Sequence, residues 1–477
     1  MLVNRNHVSP SNAYPLLAIV LCIVCGVFAL AMKQAFSATP VGAATAVIIA
    51  ALPLLAILAF RVPLQFPYAA YAVLVPFDLL LSVPALGTGA RLCGALSGVA
   101  LLFWLLRTRS FVRPGWALLA WAAYIGWVGL TILWALDQVN GMREFSSLLQ
   151  VFLLFAIASV MPPSPRDLRV IFGAVVVGGL IAGLFGIHQL SHMSAAQVAI
   201  NQVSDRIPLL VGDQKLDINE FADSLLPAMA ILIVTMARAK NWAFKTACIG
   251  GMGILLYAMS ITASREAFVG VAIMFVYFIV MLRERWQLVG IAGVLGALAC
   301  LNGNLLHRFT TSGDSDGSGR LDIWRAGAAA FRQHPVIGSG AGSFANAYNG
   351  IYLKVFQNYD MGWSRAAHNM LLQNSVEYGI VGALLIVLAV TASFWSLRTI
   401  VKRSPLYGAR VAIAGALLGL CVTGLFVDLT TSKIFWLTLS VVALVRSRAL
   451  LSSTARRTQK SSFAADTPMV AAATVAA

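Results

Sequence analysis

Apolar runs close to the length that crosses a bilayer recur along this chain, with short charged clusters between them. A helix needs roughly 20 apolar residues to span the hydrocarbon. Fourteen such runs can be marked between residues 14 and 445. Only 11% of the 477 residues are charged and 59% are hydrophobic, whereas soluble domains carry about 25% charged residues. A single soluble core stops growing near 250–300 residues, so this apolar excess requires lipid as its solvent. The net charge of +16 does not point to nucleic acid, because the cations sit between apolar runs as topology determinants do. The expected fold is all-α: a polytopic integral membrane protein of about 12–14 transmembrane helices. The six cysteines lie in or beside apolar runs without metal-ligand spacing and read as small packing residues.

Charge orients the runs. With the N-terminus placed in the cytoplasm, alternate loops hold Arg107, Arg109 and Arg113; Arg166 and Arg169; Arg238, Lys240 and Lys245; Arg283 and Arg285; and Arg398, Lys402, Arg403 and Arg410. The tail is basic too. This side collects most of the 34 Lys and Arg residues, as a cytoplasmic face does. Four segments follow: a transmembrane bundle over 1–301 with an outer loop at 188–220, a long outer loop at 302–367, C-terminal transmembrane helices over 368–447, and a disordered cytoplasmic tail over 448–477. A connection as long as 302–367 is uncommon unless it is functional. Its stretch from Leu321 to Phe331 has a helical pattern ended by Pro335, and Gly338, Gly340 and Gly342 read as a turn-rich segment.

Candidate chemistry gathers on the outer side. Arg265 lies in a very short turn between spans, Arg206 in the first outer loop, and Arg320 at the start of the loop helix. Guanidinium groups match phosphate oxygens bidentately, and a helix start adds free N–H groups. A snorkelling anchor or an arginine paired with a nearby acid has the same signature. His368 stands at the mouth of a long apolar run, where an imidazole that titrates near neutrality can accept a proton; a structural helix-end histidine is the alternative. Glu377 lies nine residues on, on the opposite helix face, and is expected to pair with another helix. Asp314 and Asp316 look like a metal–nucleotide pair but sit in a Gly/Ser-rich stretch where Asp is a turn former. No Walker loop is present.

In order, Ser264-Arg265, Gly319-Arg320 with Trp324, Pro335-x-x-Gly338-x-Gly340-x-x-x-Phe344, and His368-Asn369 with Leu372, Glu377, Gly379 and Gly382 resemble the O-antigen ligase and polymerase family of bacterial inner membranes. The matching pieces span roughly a third of the chain. The resemblance implies a metal-independent, inverting glycosyltransferase without cofactors. It would move a glycan from undecaprenyl pyrophosphate to a sugar hydroxyl of lipid A–core at the periplasmic face. His368 would be the general base; Arg265, Arg320 and Arg206 would bind the donor pyrophosphate; Asn369 and Trp324 would support them. An O-antigen polymerase using the same donor and a protein-glycosylating ligase are the rivals inside the family. A glycolipid flippase is the rival outside it, although such a protein would line its spans with buried polar groups.

Overall fold

A computed structural model describes residues 55–77, 82–83, 87–191, 210–211, 214–215, 218–262, 264–300, 320–355 and 365–465. After a helical stretch at 55–61, α1 (Tyr68–Leu74), α2 (Gly89–Thr108), α3 (Trp116–Thr131), α4 (Gln138–Val160) and α5 (Pro165–Ser191) follow. Next come α6 (Ile218–Ser224), α7 (Leu226–Arg238), α8 (Trp242–Thr262), α9 (Arg265–Met281) and α10 (Arg285–Cys300). The loop helices are α11 (Arg320–Phe331) and α12 (Phe344–Val355), and the chain closes with α13 (Met370–Ser396), α14 (Tyr407–Thr423) and α15 (Lys433–Ala465). Strand structure among the described residues is confined to two short antiparallel pairs, Ser82–Val83 with Gly87–Thr88 and Leu210–Val211 with Gln214–Lys215. The all-α expectation stands.

Eight helices among the described residues are long and apolar enough to cross a membrane. Side-chain oxygens start several of them: Thr88 accepts from Arg91 N–H, and Asp137 from Asn140 N–H, each satisfying a donor that a helix start leaves free. The apolar run near 221–236 is two helices, broken at Leu225 ahead of Pro227, because proline suits a helix start and not its interior. Of the segment 448–477, read as a disordered tail, the described part continues α15 as helix to Ala465. The loop also holds a second helix, α12, after the glycine-rich turns.

The bundle sorts its connections onto two ends. At one end Val112 N–H donates to Val160 O, Arg446 to Arg113 O, and the Tyr407 hydroxyl to Met281 O. These are the basic loops that the charge pattern groups together. Trp116, Trp242, Trp286 and Trp395 are all exposed at helix termini on this end, the placement of an interfacial aromatic belt. Exposed Val99, Leu102, Leu384 and Leu388 cover the outer faces of α2 and α13, which suits lipid contact rather than water. Inside, α7 is wrapped by α5, α8 and α14, and 89% of the Ile218–Arg238 window is buried. Small residues let the helices close up: a Cβ on Gly415 would sit 2.4 Å from the Phe278 ring, and one on Gly270 2.8 Å from Thr423 Cγ2. Interior polar groups pair between helices. Trp121 Nε1 donates to Ser393 Oγ at 3.1 Å, and the Tyr124 hydroxyl to Asn374 Oδ1 at 2.7 Å.

Candidate active site

At the opposite end, α13 is a broken helix. Gly379 has φ 67° and ψ −170°, a conformation that glycine alone adopts readily. The break strands backbone groups that an intact helix would pair, and burial makes leaving them unpaired costly. The glycine-rich segment supplies their partners. Ser339 N–H donates to Val376 O (2.9 Å), Gly340 N–H to Glu377 O (2.8 Å), and Ile380 N–H to Pro335 O (2.9 Å). Trp127 Nε1 donates to Tyr378 O at 2.9 Å. Contact is so close that a Cβ on Gly338 would lie 2.3 Å from Glu377 O, and one on Gly340 2.2 Å from Ala135 Cα. The Pro-x-x-Gly-x-Gly spacing therefore builds a backbone plug for a broken span.

Glu377 completes this plug. It is 1% exposed, and its carboxylate accepts from Gly342 N–H (3.2 Å) and Phe344 N–H (3.0 Å) at the start of α12. Its oxygens there satisfy N–H groups that a helix start leaves free. The expectation of a partner outside its own helix is met by backbone donors. Above the plug, α11 and α12 form their own core: Ile323, Ala326 and Ala330 pack with Phe344, Tyr348, Ile351 and Tyr352. The apolar spacing of Phe344, Tyr348, Ile351 and Tyr352 is helical and is the sequence signal for α12.

Two contacts draw the motif pieces together. Arg320 Nη2 lies 3.2 Å from Glu266 Oε1, the residue after Arg265 at the start of α9. The Glu266 side chain is 2% exposed and that of Arg320 16%, so the pair is shielded from water. Arg320 thus has the acid partner that its alternative reading called for. One guanidinium nitrogen faces Glu266, and the group has five donor hydrogens in all. Trp324, one turn along α11, donates from Nε1 to Ala367 O at 3.0 Å, holding the peptide just before His368. Arg265 is half-buried at the first turn of α9. Arg206, Asp314 and Asp316 lie outside the described residues.

His368 is half-buried and has φ 47°. A left-handed backbone costs a side-chain-bearing residue about 1–2 kcal/mol, and such strain concentrates at functional positions. The flanking contacts fix it. Trp324 holds Ala367, and Met370 N–H donates to Gly424 O at 2.8 Å at the end of α14. Asn369 is the N-cap of α13, its Oδ1 accepting from Leu372 N–H at 2.9 Å; the capping role is the one its geometry supports. Arg365, exposed three residues before His368, adds a cation that the sequence reading did not single out.

Along the first turns of α13 lies a polar pocket that was also missed. Glu144, Asn374, Tyr378, Asp428 and Thr430 line it. Asn374 Nδ2 donates to Thr430 Oγ1 at 3.1 Å, and Thr430 donates from N–H and Oγ1 to Asp428 Oδ1 at 3.0 and 2.6 Å. Burial raises the Asp428 pKa above its ordinary value, and the two Thr430 hydrogen bonds oppose that rise. The residues come from α4, α13 and the turn before α15, too far apart in sequence to form a motif. Among the described residues no group of three or more His, Cys, Asp and Glu is placed to hold a metal ion.

Residues 250–387 match the family model described as O-antigen ligase. That range contains Arg265, Arg320, Trp324, the glycine plug, His368 and Glu377. No curated protein matches the chain significantly.

Proposed function

We propose, from the match of residues 250–387 to the O-antigen ligase family model, that this chain transfers an O-antigen glycan from undecaprenyl pyrophosphate to a sugar hydroxyl of lipid A–core. The observation that carries the reading is the pair of contacts, Arg320–Glu266 and Trp324–Ala367, which tie Arg265, Arg320 and His368 to one end of the bundle. This end faces the periplasm and the basic loops face the cytoplasm of a bacterial inner membrane. Excess Lys and Arg on the opposite end support that orientation.

The chemistry needs two things. A sugar hydroxyl is a poor nucleophile until its proton is removed, and His368 accepts that proton. The C–O bond to pyrophosphate then breaks as the new glycosidic bond forms, inverting the anomeric carbon in one displacement. Negative charge grows on the leaving pyrophosphate, where Arg265, Arg320 and Arg206 stabilise it as fixed donors. No divalent cation is required in this scheme. Glu266 holds Arg320 in place while leaving other guanidinium donors for phosphate.

The test is transfer by purified full-length chain in bilayers, given undecaprenyl-pyrophosphate-linked glycan and lipid A–core, with and without chelator. Capped lipid A–core in both conditions is the expected product. Elongated lipid-linked glycan with no capped core would identify a polymerase instead. Loss of transfer with chelator, restored by Mg²⁺ or Mn²⁺, would return Asp314 and Asp316 to consideration as ligands.

A further inference from the structure

A cleft of about 500 Å³ opens on the basic end of the bundle, between the start of α5, the end of α7, the start of α14 and the middle of α15. Its wall is apolar, with Phe172, Ile231, Val234 and Leu406 among its residues. Its rim holds Arg169, Arg238 and Arg448, and no carboxylate lines it. Among the described residues none of these arginines forms an ion pair. The nearby acid Asp167 is already engaged, accepting from Gln65 Nε2 at 2.6 Å and from Ser164 N–H at 2.8 Å. Gly408 makes room at the rim: a Cβ there would lie 2.9 Å from Arg238 Nη1.

Three guanidiniums with no ion pair among the described residues, set above an apolar wall, match an anionic head with a hydrocarbon tail. The volume is in the range of ligand sites, roughly 300–1,000 Å³. It holds a phosphate headgroup and the proximal part of an acyl chain. Basic clefts between spans at a membrane face are where anionic lipid headgroups are held. The cleft is not the donor site proposed above. Helix α14 has Tyr407 at the cleft end and Gly424 against Met370 at the His368 end, and its 17 residues put about 25 Å between the two.

We propose that this cleft is a specific site for an anionic glycerophospholipid, its phosphate on Arg169, Arg238 and Arg448 and its chain against Phe172, Ile231 and Val234. The bound lipid joins four helices that come from both halves of the chain. Its headgroup supplies the counter-charge that the three arginines lack among the described residues.

The experiment is native mass spectrometry of the detergent-purified full chain, titrated with phosphatidylglycerol or with phosphatidylcholine of the same acyl chains. Wild-type protein should retain one phosphatidylglycerol at least tenfold more tightly than phosphatidylcholine, and its thermal midpoint should rise with the former alone. Arg238→Gln combined with Arg448→Gln should abolish that preference, while Arg403→Gln, on the same end but outside the cleft, should keep it. Equal retention of the two lipids by wild-type protein overturns the proposal, and this arm needs no variant to fold. Unchanged preference in a folded double variant overturns it as well.

Discussion

Trp324→Phe isolates the contact that places His368. The substitution keeps an aromatic ring beside Phe426, whose centroid lies 6.4 Å from that of Trp324, and removes the N–H that reaches Ala367 O at 3.0 Å. Helix α11 stays docked, because Ile323, Ala326 and Ala330 still pack against Phe344 and Tyr348. A hydrogen bond of this kind contributes about 0.5–1.5 kcal/mol net. Ala367 is buried while the bond as a whole is part-buried, which places the loss toward the upper end of that range. The bond opposes relaxation of the strained His368 backbone. Its loss should therefore lower the fraction of molecules with the imidazole in place, and each ~1.4 kcal/mol is tenfold in rate. We expect kcat for glycan transfer to fall about three- to tenfold while the KM for donor stays within twofold. Steady-state transfer with purified variant and wild type at matched folded protein reads both constants. A wild-type kcat, or a change confined to donor KM, refutes the positioning role.

Three further outcomes follow from the same geometry. Glu377→Ala abandons the N–H groups of Gly342 and Phe344 at about 1–3 kcal/mol each, so the detergent-solubilised protein should unfold at lower temperature and expose the 335–344 segment to protease; an unchanged midpoint would contradict the plug. Gly340→Ala drives a Cβ to 2.2 Å from Ala135 Cα, whereas a Cβ on Gly350 meets nothing within 4 Å; expression of folded protein should collapse for the first and match wild type for Gly350→Ala, and equal yields would count against the close approach. Asp428 has a raised folded pKa, so its contribution is fully present below the ordinary carboxylate value and is lost as pH rises through the folded one; Asp428→Asn should stabilise the protein near pH 7 and much less near pH 4, and equal gains at both would refute the burial argument.

Hydropathy and charge alternation made the bundle legible because lipid imposes both rules directly on sequence. Two of the shorter apolar runs, near 92–106 and 434–445, are nevertheless full helices, Gly89–Thr108 and the Lys433–Thr454 part of α15. Small and polar residues inside them, such as Ser97 and Ser440, are buried against neighbours and so do not interrupt a span. Arg320 and His368 were visible because each stands at an element boundary. Their surroundings were not. Glu266 is an acid beside an arginine in sequence, yet its partner is Arg320, supplied by the long loop. The broken helix at Gly379 was hidden because an apolar run does not record where its backbone turns. Its signature lies in the separate glycine segment that fills the break. The pocket of Glu144, Asn374 and Asp428 exists only once α4, α13 and the turn before α15 meet.

His368 as the general base is the centre of the account. The most direct measurement is transfer by His368→Ala and His368→Gln at matched levels of membrane-inserted protein, with donor binding measured on the same samples. A positioned base contributes about 10²–10⁴ in rate. Both variants should lose turnover by that factor and still bind undecaprenyl-pyrophosphate-linked glycan as wild type does, because the arginines proposed to hold it are intact. Glutamine keeps a hydrogen-bonding side chain but cannot take the proton. Wild-type turnover in His368→Gln would contradict the account and make His368 a structural residue of the loop.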